Sequence, residues 1–482
     1  MDSVSQSAQS SRCSASKDNR TLQADDLFRQ ALDLHQEGEM DRAIQLYQQA
    51  HTLDPRHVET CFYLALLYSQ IDNPAETILW LEKAHNLAPS EPLIIHQLGV
   101  ACLSSGQTSM AINYFQKALD LDAGNWETAY NLGTAYFAIG ETTKAIKMYH
   151  QAVNHNPAEA DIHFNLGLAC KKAGYFEEAR EAYMCALGIA PDDAEIHYNL
   201  AIVYNKLANQ VEAANALEIA IILRPDFGAA LGRLGVIYLD LDKIDQAIAC
   251  FEKLIKLDHN ATAAQHMVAA LTGRTTDSAP LSYIKDLFDD FSDHFEKRLL
   301  VDLEYRTPWE LKRIWDKAAG ADAHEHLLDL GCGTGLVGQI FKDAAKLKTG
   351  VDLSPKMIAA AKGKDVYDQL FEDDIVNFLR QCKSSFDLIV ICDALIYLGA
   401  METLFALLAK RLSSKGSILL STEHYQGQGY KLLPSGRYAH SRAYIRELAK
   451  ANALRIVVME HTNLRKEKRQ WIAGDLYLLR HR

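Results

Sequence analysis

The sequence predicts two structural parts, an all-α solenoid of helical repeats followed by an α/β domain with a parallel sheet. A 34-residue period runs through residues 24–261, and such a period is typical of stacked helical hairpins. After residue 323, short apolar runs alternate with helical stretches, which is the pattern of a parallel α/β sheet. The predicted order is a disordered Ser-rich tail (1–22), seven repeats with a capping helix (23–273), a linker (274–281) and the α/β domain (282–482).

Composition and charge indicate a soluble globular protein and argue against membrane or nucleic-acid partners. Apolar residues make up 48% of the chain and charged residues 23%, as in soluble globular proteins. No apolar run reaches the roughly 18 residues of a membrane span, so no membrane association is expected. The nine cysteines are scattered without a C-x-x-C pair, so we expect a cytoplasmic protein with neither disulfides nor a metal site. Residues 1–273 carry 34 acidic and 19 basic side chains, an excess that argues against nucleic acid as a partner.

Small and bulky residues mark equivalent positions of the repeats. The small series is Ala31, Ala65, Gly99, Gly133, Gly167, Ala201 and Gly235. The bulky series, sixteen residues later, is Tyr47, Leu81, Phe115, Tyr149, Tyr183, Leu217 and Phe251. We interpret each unit as two helices that approach at the small residues, with the bulky residues filling the space between hairpins. The pattern is similar to the tetratricopeptide repeat, in seven copies.

Such solenoids are binding scaffolds, and the first helix of each pair is expected to line a concave groove. One groove-facing position carries Asn131, Asn165 and Asn199, followed by Arg233 in the seventh repeat. Asparagine offers both a donor and an acceptor, so the three can pair with an extended peptide backbone. The series resembles the asparagine ladder of the O-linked N-acetylglucosamine transferase repeats, which implies a protein or peptide partner. The alternative is that these amides are merely solvated.

A glycine-rich turn follows the first strand of the α/β part. The strand His326–Leu330 leads into Gly331–Gly335, and the second strand ends at Asp352, 17 residues past Gly335. Glycines allow a tight turn and a close ligand, and a carboxylate at the second strand can accept hydrogen bonds from ribose hydroxyls. The spacing up to Gly338 also satisfies the dinucleotide fingerprint, so a nicotinamide enzyme is the alternative on these residues alone.

The neighbouring motifs favour a different cofactor. L-L-D-L-G-C-G-T-G at 327–335 is similar to motif I of class I methyltransferases, and D-L-S-x-x-M from Asp352 resembles the segment after their second strand. Residues 372–375, 386–393 and 416–421 resemble, in order, their adenine-contacting acid and their fourth and fifth strands. The resemblance implies a Rossmann-like sheet of seven strands, with an antiparallel last strand over Asp475–Leu479, and S-adenosylmethionine as the cofactor.

The same resemblance implies residue roles. Asp329 and the glycine turn would hold the methionine part of the cofactor, Asp352 the ribose, and Asp373 or Asp374 the adenine amine. Leu353 and Ile375 would sandwich the adenine ring, with Met357 nearby. The implied cofactor-binding set is Asp329, Gly331, Cys332, Gly333, Gly335, Asp352, Leu353, Met357, Asp373, Asp374, Ile375 and Asp393.

Residues for the methyl acceptor are expected at the ends of the fourth and fifth strands, where α/β proteins bind ligands. Tyr397 follows the fourth strand, and Arg437, Tyr438 and His440 lie in a loop after the fifth. Their chemistry suits an acidic or polar acceptor. The alternative is that Arg437 and His440 only hold the loop. The basic run 465–469 is expected to be a solvated hairpin tip.

Taken whole, the chain resembles the predicted bacterial methyltransferases that contain tetratricopeptide repeats. Y-R-T-P at Tyr305–Pro308 and G-R-Y-A-H-S at Gly436–Ser441 support the resemblance. It implies an S-adenosylmethionine-dependent methyltransferase whose repeats recruit a protein partner or substrate. The alternative is an interaction scaffold in which the cofactor-binding domain is structural or regulatory. Neither the methyl acceptor nor a catalytic base follows from the sequence.

Overall fold

The computed structural model describes residues 3–291, 295–319, 324–467 and 470–482. The chain divides into two compact units, Met1–Ala230 and Leu231–Arg482. The described helices include none with both the length and the apolarity that a membrane crossing needs.

The first unit consists of helical hairpins. Its helices are α1 (Ser3–Gln36), α2 (Met40–Leu53), α3 (Val58–Gln70), α4 (Pro74–Leu87), α5 (Pro92–Ser104), α6 (Thr108–Leu121), α7 (Trp126–Ala138), α8 (Thr142–His155), α9 (Ala160–Ala173), α10 (Phe176–Ile189), α11 (Ala194–Lys206) and α12 (Gln210–Leu223). Each odd-numbered helix pairs with the next even-numbered one, and α5, α7, α9 and α11 also contact one another in succession. The predicted helical-repeat solenoid is confirmed.

In three hairpins of the first unit an aromatic ring lies against a glycine, at Gly99, Gly133 and Gly167. A Cβ added to Gly133 would lie 2.8 Å from the Tyr149 ring, and one added to Gly167 would lie 2.6 Å from the Tyr183 ring. Tyr149 and Tyr183 are fully buried. These rings therefore pack inside the hairpin, on the small residue of the same repeat, and they also belong to a buried cluster that spans several hairpins.

The first helix begins earlier than expected. The structure extends α1 back to Ser3, through most of the segment that the sequence predicts to be a disordered tail. The segment contains neither glycine nor proline before Gln36, so no residue stops the helix from continuing backwards from the first repeat. Met1 and Asp2 lie outside the described residues.

The second unit begins within α13 and combines helices with one sheet. Its helices are α13 (Gly228–Asp240), α14 (Ile244–Leu257), α15 (Thr262–Leu271), α16 (Leu281–Phe291), α17 (Phe295–Lys297), α18 (Thr307–Ala319), α19 (Leu336–Ile340), α20 (Pro355–Gly363), α21 (Ile375–Gln381), α22 (Glu402–Arg411) and α23 (Arg442–Ala451). Its strands are β1 (His324–Leu330), β2 (Ala345–Asp352), β3 (Gln369–Glu372), β4 (Phe386–Ile391), β5 (Leu412–His424), β6 (Tyr430–Leu432), β7 (Tyr438–His440), β8 (Leu454–Glu467) and β9 (Gln470–His481). A π-helical turn at Arg298–Asp302 and a 3₁₀ turn at Leu395–Tyr397 complete the unit.

The sheet has the predicted α/β topology. Strands β3, β2, β1, β4 and β5 are parallel neighbours in that order, and β9 runs antiparallel between β5 and β8. These seven strands, with β9 as the antiparallel last strand, are the ones that the sequence predicts. The short β6–β7 hairpin, which joins the end of β5, is an addition that the sequence did not predict. Because β1, β2 and β4 are parallel neighbours, their carboxyl ends lie side by side at one edge.

Apolar side chains cover both faces of the sheet. Leu328 of β1 and Ile389 of β4 belong to one buried cluster, whereas Leu327 and Leu388 belong to another. Successive residues of a strand point to opposite faces. The near-continuous apolar runs in the sequence are therefore strands buried on both sides.

Helix α15 and the residues after it pack against the sheet part of the second unit. His266 Nε2 donates to the carbonyl of Gly436 at 2.9 Å. The carbonyl of Asp277 accepts from the backbone N–H groups of Gly399 and Ala400 at 2.9 and 2.8 Å. The segment 274–281 is thus held by hydrogen bonds, and the domain boundaries drawn from the sequence stay a prediction.

Candidate active site

The glycine turn after β1 forms the floor of the candidate site. Gly331, Gly333 and Gly335 have φ values of +80°, +51° and +89°, which glycine adopts without steric cost. A Cβ on Gly331 would lie 2.7 Å from the Cβ of Ala394, so the turn packs closely on the segment after β4. A Cβ on Gly333 would meet no atom within 4 Å. The backbone at Gly333 is therefore open to a ligand.

Asp352 closes the next strand and faces this turn. Its Oδ2 accepts from the N–H of Gly333 at 2.8 Å, and its Oδ1 accepts from the N–H of Ser354 at 3.0 Å. The carboxylate is only partly buried. Its position at the carboxyl end of β2 is the one at which an acid can reach the ribose hydroxyls of a nucleoside.

Asp329 is a buried carboxylate beneath the turn. Its side chain is fully buried, the Tyr367 hydroxyl donates to its Oδ2, and its Oδ1 has no hydrogen-bond partner. Burial raises the pKa of Asp329 to about 7, Tyr367 opposes this rise, and Asp352 adds to it. A buried acceptor atom without a partner is uncommon in folded proteins. A cationic ligand above the turn would satisfy it.

Tyr367 is a site residue that the sequence analysis missed. Its hydroxyl also accepts from the N–H of Gly338 at 3.1 Å, so it links Asp329 to the helix after the turn. A Cβ on Gly338 would lie 2.6 Å from the Tyr367 ring. The requirement for glycine at 338 therefore comes from this ring. No local motif marks a tyrosine 38 residues beyond its partner.

The two neighbouring acids after β3 have different surroundings. Asp374 caps α21, because its Oδ1 accepts from the N–H groups of Val376 and Asn377 at 3.0 and 2.9 Å. Asp373 accepts from Asn377 Nδ2 at 2.8 Å through Oδ1. The same oxygen of Asp373 accepts from the N–H of Asp374 at 2.8 Å. Each acid thus receives two hydrogen bonds on one oxygen, and Asp373, which is not the helix cap, is the candidate taken for the adenine amine.

The apolar candidates differ in exposure. Leu353 and Ile375 are partly exposed after β2 and at the start of α21, whereas Met357 is fully buried in α20. Cys332 is buried in the glycine turn, and burial raises its pKa. Its thiol therefore stays protonated and serves as packing.

Asp393 follows β4 in a strained conformation and begins a chain of buried charges. Its φ is +59°, which is costly for a residue with a side chain and is often found at functional sites. Its Oδ2 accepts from Arg465 at 2.5 Å, while its Oδ1 is buried without a partner. Arg465 also pairs with Glu423, and Glu423 accepts from Arg437 Nε at 3.0 Å. The expectation that the run 465–469 is a solvated tip is wrong for Arg465, whose side chain is 6% exposed.

The predicted acceptor residues divide into two groups. Arg437 belongs to the charged cluster through Glu423 and Glu467, whereas Tyr397 is buried in an apolar cluster that also contains Tyr438. His440 and Tyr438 are fully buried. His440 donates to the carbonyl of Leu398 at 2.7 Å, and burial lowers its pKa to about 4.

The buried pair Tyr438 and His440 is a correction to the predicted acceptor set. The Tyr438 hydroxyl is bound to Thr276 Oγ1 at 2.6 Å, and His440 Nε2 is used by Leu398, whereas His440 Nδ1 is buried without a partner. These two residues hold the loop, as the alternative interpretation proposed for His440.

A group with metal-ligand chemistry lies at the end of β5, although the sequence predicts no metal site. Ligand atoms of His424, His461 and Asp475 lie within 4.8 Å of one another. Asp475 is fully buried and also pairs with Arg442 at 2.6 Å. A second cation on the same carboxylate opposes a metal ion there, so the group is explained as a buried ion network.

In the first unit, the predicted asparagine ladder is largely engaged by the fold. Asn165 Nδ2 donates to the Tyr130 hydroxyl and to the carbonyl of Asp161, both at 2.9 Å. Asn199 Nδ2 donates to the carbonyl of Glu195, and its Oδ1 accepts from Lys171 Nζ. Asn131 instead lines a cavity. Arg233 lies on α13.

Family models match both parts of the chain. A methyltransferase domain model matches residues 327–416. Tetratricopeptide-repeat models match residues 34–59, 94–125, 133–174, 167–207 and 228–261. The chain combines tetratricopeptide repeats with a methyltransferase domain.

Individual relatives resemble parts of this chain. An uncharacterised protein of Haemophilus influenzae is 35% identical over 107 residues, which are 20% of this chain and 42% of that protein. The ubiquinone biosynthesis O-methyltransferase of Coxiella burnetii is 24% identical over 186 residues, 36% of this chain and 78% of that protein. The crystal structure of MamA is similar with 28% identity and a TM-score of 0.33, covering 34% of this chain and 96% of that chain.

Proposed function

We propose that the methyltransferase domain uses S-adenosylmethionine and acts in the cytoplasm on an acceptor that the repeats help to recruit as, or with, a protein partner. The observation that carries the cofactor proposal is the partnerless buried oxygen of Asp329 beneath an open glycine turn. Bound S-adenosylmethionine would supply a methyl group on a positively charged sulfur, so catalysis depends mainly on holding an acceptor in line.

The residues of the site fit such a ligand. Asp329, whose pKa is raised to about 7, would be stabilised in its charged form by a cationic amino acid moiety. Asp352 would accept hydrogen bonds from the ribose hydroxyls. Asp373 would accept from the adenine amine, with Leu353 and Ile375 on the two faces of the ring.

The acceptor would lie at the ends of β4 and β5. Asp393 pairs there with the buried side chain of Arg465, which is linked to Arg437 through Glu423. The Coxiella relative is named as an O-methyltransferase, and a hydroxyl acceptor often needs a base for its proton. The buried Oδ1 of Asp393 is the proposed proton acceptor for a substrate of that kind.

Calorimetric titration of the full chain with S-adenosylmethionine tests the cofactor proposal. Asp352→Asn should weaken binding about tenfold, because one hydrogen bond between a ribose hydroxyl and a charged group is lost. The matched control is Asp343→Asn, an exposed carboxylate before β2, which should leave the affinity unchanged. Binding of a nicotinamide dinucleotide instead of S-adenosylmethionine would contradict the proposal.

An assay of methyl transfer distinguishes an active methyltransferase from the scaffold alternative. Incubation with radiolabelled S-adenosylmethionine and cell extract should transfer label to an extract component in wild type and not in Asp352→Asn. Tight cofactor binding without transfer to any extract component would favour the scaffold alternative.

A further inference from the structure

We infer that a cavity in the groove of the first unit binds an arginine side chain of an extended peptide, so that the recruited partner presents a basic segment. The inference rests on the proposed recruitment by the repeats and names the chemistry of the partner. The cavity has a volume of about 220 Å³. Its lining is Trp126, Glu127, Tyr130, Asn131, Glu159, Asp161 and Ile162.

The cavity lies on the first-helix side of two adjacent repeats. Its residues come from α7, from α9 and from the turn before α9. These first helices contact one another, and the concave surface of a solenoid is the one that binds extended ligands. A peptide that follows the groove therefore passes over this cavity.

Three carboxylates meet at the cavity without a cation. Glu127, Glu159 and Asp161 form no ion pair within the described part of the chain. Glu159, Asp161 and Tyr130 line this one cavity, and, after burial, the negative charges of Asp161 and Glu159 raise the pKa of Tyr130. Residues 1–230 as a whole carry 29 acidic and 15 basic side chains.

The next repeat pairs the equivalent carboxylate with an arginine of this chain. Glu195 is the residue equivalent to Asp161, one 34-residue period later. Arg224 Nη2 pairs with Glu195 Oε1 at 2.7 Å, and its guanidinium lies 3.7 Å from the centre of the Phe227 ring. The residue equivalent to Arg224 in the earlier repeat is Ala190. Asp161 therefore lacks the cation that the chain supplies to Glu195.

The lining favours arginine over other side chains. Trp126 and Tyr130 are half-buried aromatic residues, and the Tyr130 hydroxyl is held by Asn165 Nδ2 at 2.9 Å. A planar guanidinium can stack on a ring and pair with a carboxylate at the same time, which a lysine ammonium does less well. An acidic side chain would be repelled by the carboxylates.

Fluorescence anisotropy of the full chain with labelled Gly/Ser peptides tests the inference. One peptide has arginine at alternate positions, and matched peptides carry lysine, citrulline or glutamate instead. Citrulline keeps the shape of arginine without its charge. We expect the arginine peptide to bind best, the lysine peptide more weakly, and citrulline and glutamate peptides at least about tenfold more weakly than arginine.

Two variants connect binding to this cavity. Glu159→Gln with Asp161→Asn removes both charges without changing shape and should weaken the arginine peptide about tenfold or more. Ala190→Arg places an arginine at the helix C-cap position that Arg224 occupies in the next repeat, so it should pair with Asp161 as Arg224 pairs with Glu195 and weaken binding of the arginine peptide. The control is Glu177→Gln with Glu212→Gln, which removes two exposed charges from the first turns of α10 and α12.

The outcomes distinguish this inference from the proposed function. If the cavity variant and the control variant lose the same affinity for the arginine peptide, the peptide is attracted diffusely to an acidic surface. That result would overturn the arginine site. Tighter binding of the citrulline or glutamate peptide would overturn the inference of a basic partner, but it would leave the proposed recruitment by the groove intact. Titration of the same preparation with S-adenosylmethionine reports on the methyltransferase separately, since it does not depend on the cavity.

Discussion

The two units of this protein are stabilised by contacts of different range. In the first unit the same packing recurs, a ring on a small residue of its own hairpin, as with Gly133 and Tyr149. In the second unit the candidate site depends on contacts that occur once, such as the ion pair between Asp393 and Arg465, which are 72 residues apart. A repeated local contact leaves a period in the sequence, whereas a single distant contact leaves none.

The two units also differ in how far their ion pairs are exposed to water. In the first unit, Arg224 and Glu195 pair at the surface with 40% and 51% of their side chains exposed. In the second, Arg465 and Glu423 pair with 6% and 3% exposed. Water can replace the partner of an exposed charge, but it cannot reach a buried one. The same kind of ion pair should therefore matter very differently in the two units.

Arg465→Met should have the largest effect. It leaves Asp393 and Glu423 buried with a missing partner, and breaking a buried pair in this way costs about 3–5 kcal/mol. Urea denaturation followed by near-ultraviolet circular dichroism measures the loss. Arg455→Met, at an exposed position of the same strand, should change stability little. Equal losses of stability in Arg465→Met and Arg455→Met would contradict the expected difference between buried and exposed charges.

Gly167→Ala should have an intermediate effect in the first unit. The new methyl group would lie 2.6 Å from the Tyr183 ring, and such overpacking costs about 1–3 kcal/mol. Adding Tyr183→Leu should recover part of the loss, because repeats two and six combine alanine and leucine at these positions, as in Ala201 and Leu217. A double-mutant cycle measures the coupling. Strictly additive losses would show that the two positions do not pack on each other in solution.

The pH dependence of cofactor binding should follow Asp329. Its pKa of about 7 in the free protein means that the carboxylate is protonated below that pH and must lose its proton to meet a cationic ligand. Affinity for S-adenosylmethionine should therefore rise with pH and level off above 7, falling up to about tenfold per pH unit below it. Calorimetry between about pH 5.5 and 8 measures this. Asp329→Asn should lose this slope, and a slope retained by that variant would assign it to another group.

The smallest effect is expected for the exposed pair. Glu195→Gln should cost at most about 1 kcal/mol, since solvent screens the charges of Glu195 and Arg224. Thermal denaturation at low and high salt gives the comparison with Arg465→Met. A loss as large as that of the buried pair would mean that the repeats depend on specific ion pairs rather than on their recurring packing.

Much of the candidate site follows from local sequence. The glycine turn and Asp352 were predictable, because a turn after one strand and an acid at the end of the next have a short, fixed spacing. Local sequence could not distinguish the role of Asp374 from that of Asp373. Only the start of α21 distinguishes them, since Asp374 caps that helix and Asp373 does not.

The sequence by itself determined the helical period, the alternation of strands and helices and the place of the glycine turn, because each depends on residues within a few tens of positions. The tertiary structure decided which polar residues are reachable. It buried His440 and Arg465, engaged Asn165 and Asn199 with carbonyls of their own helices, and brought Tyr367 to Asp329. A polar residue gives no local sign of whether it will meet water or a distant partner, since that depends on how separate elements pack.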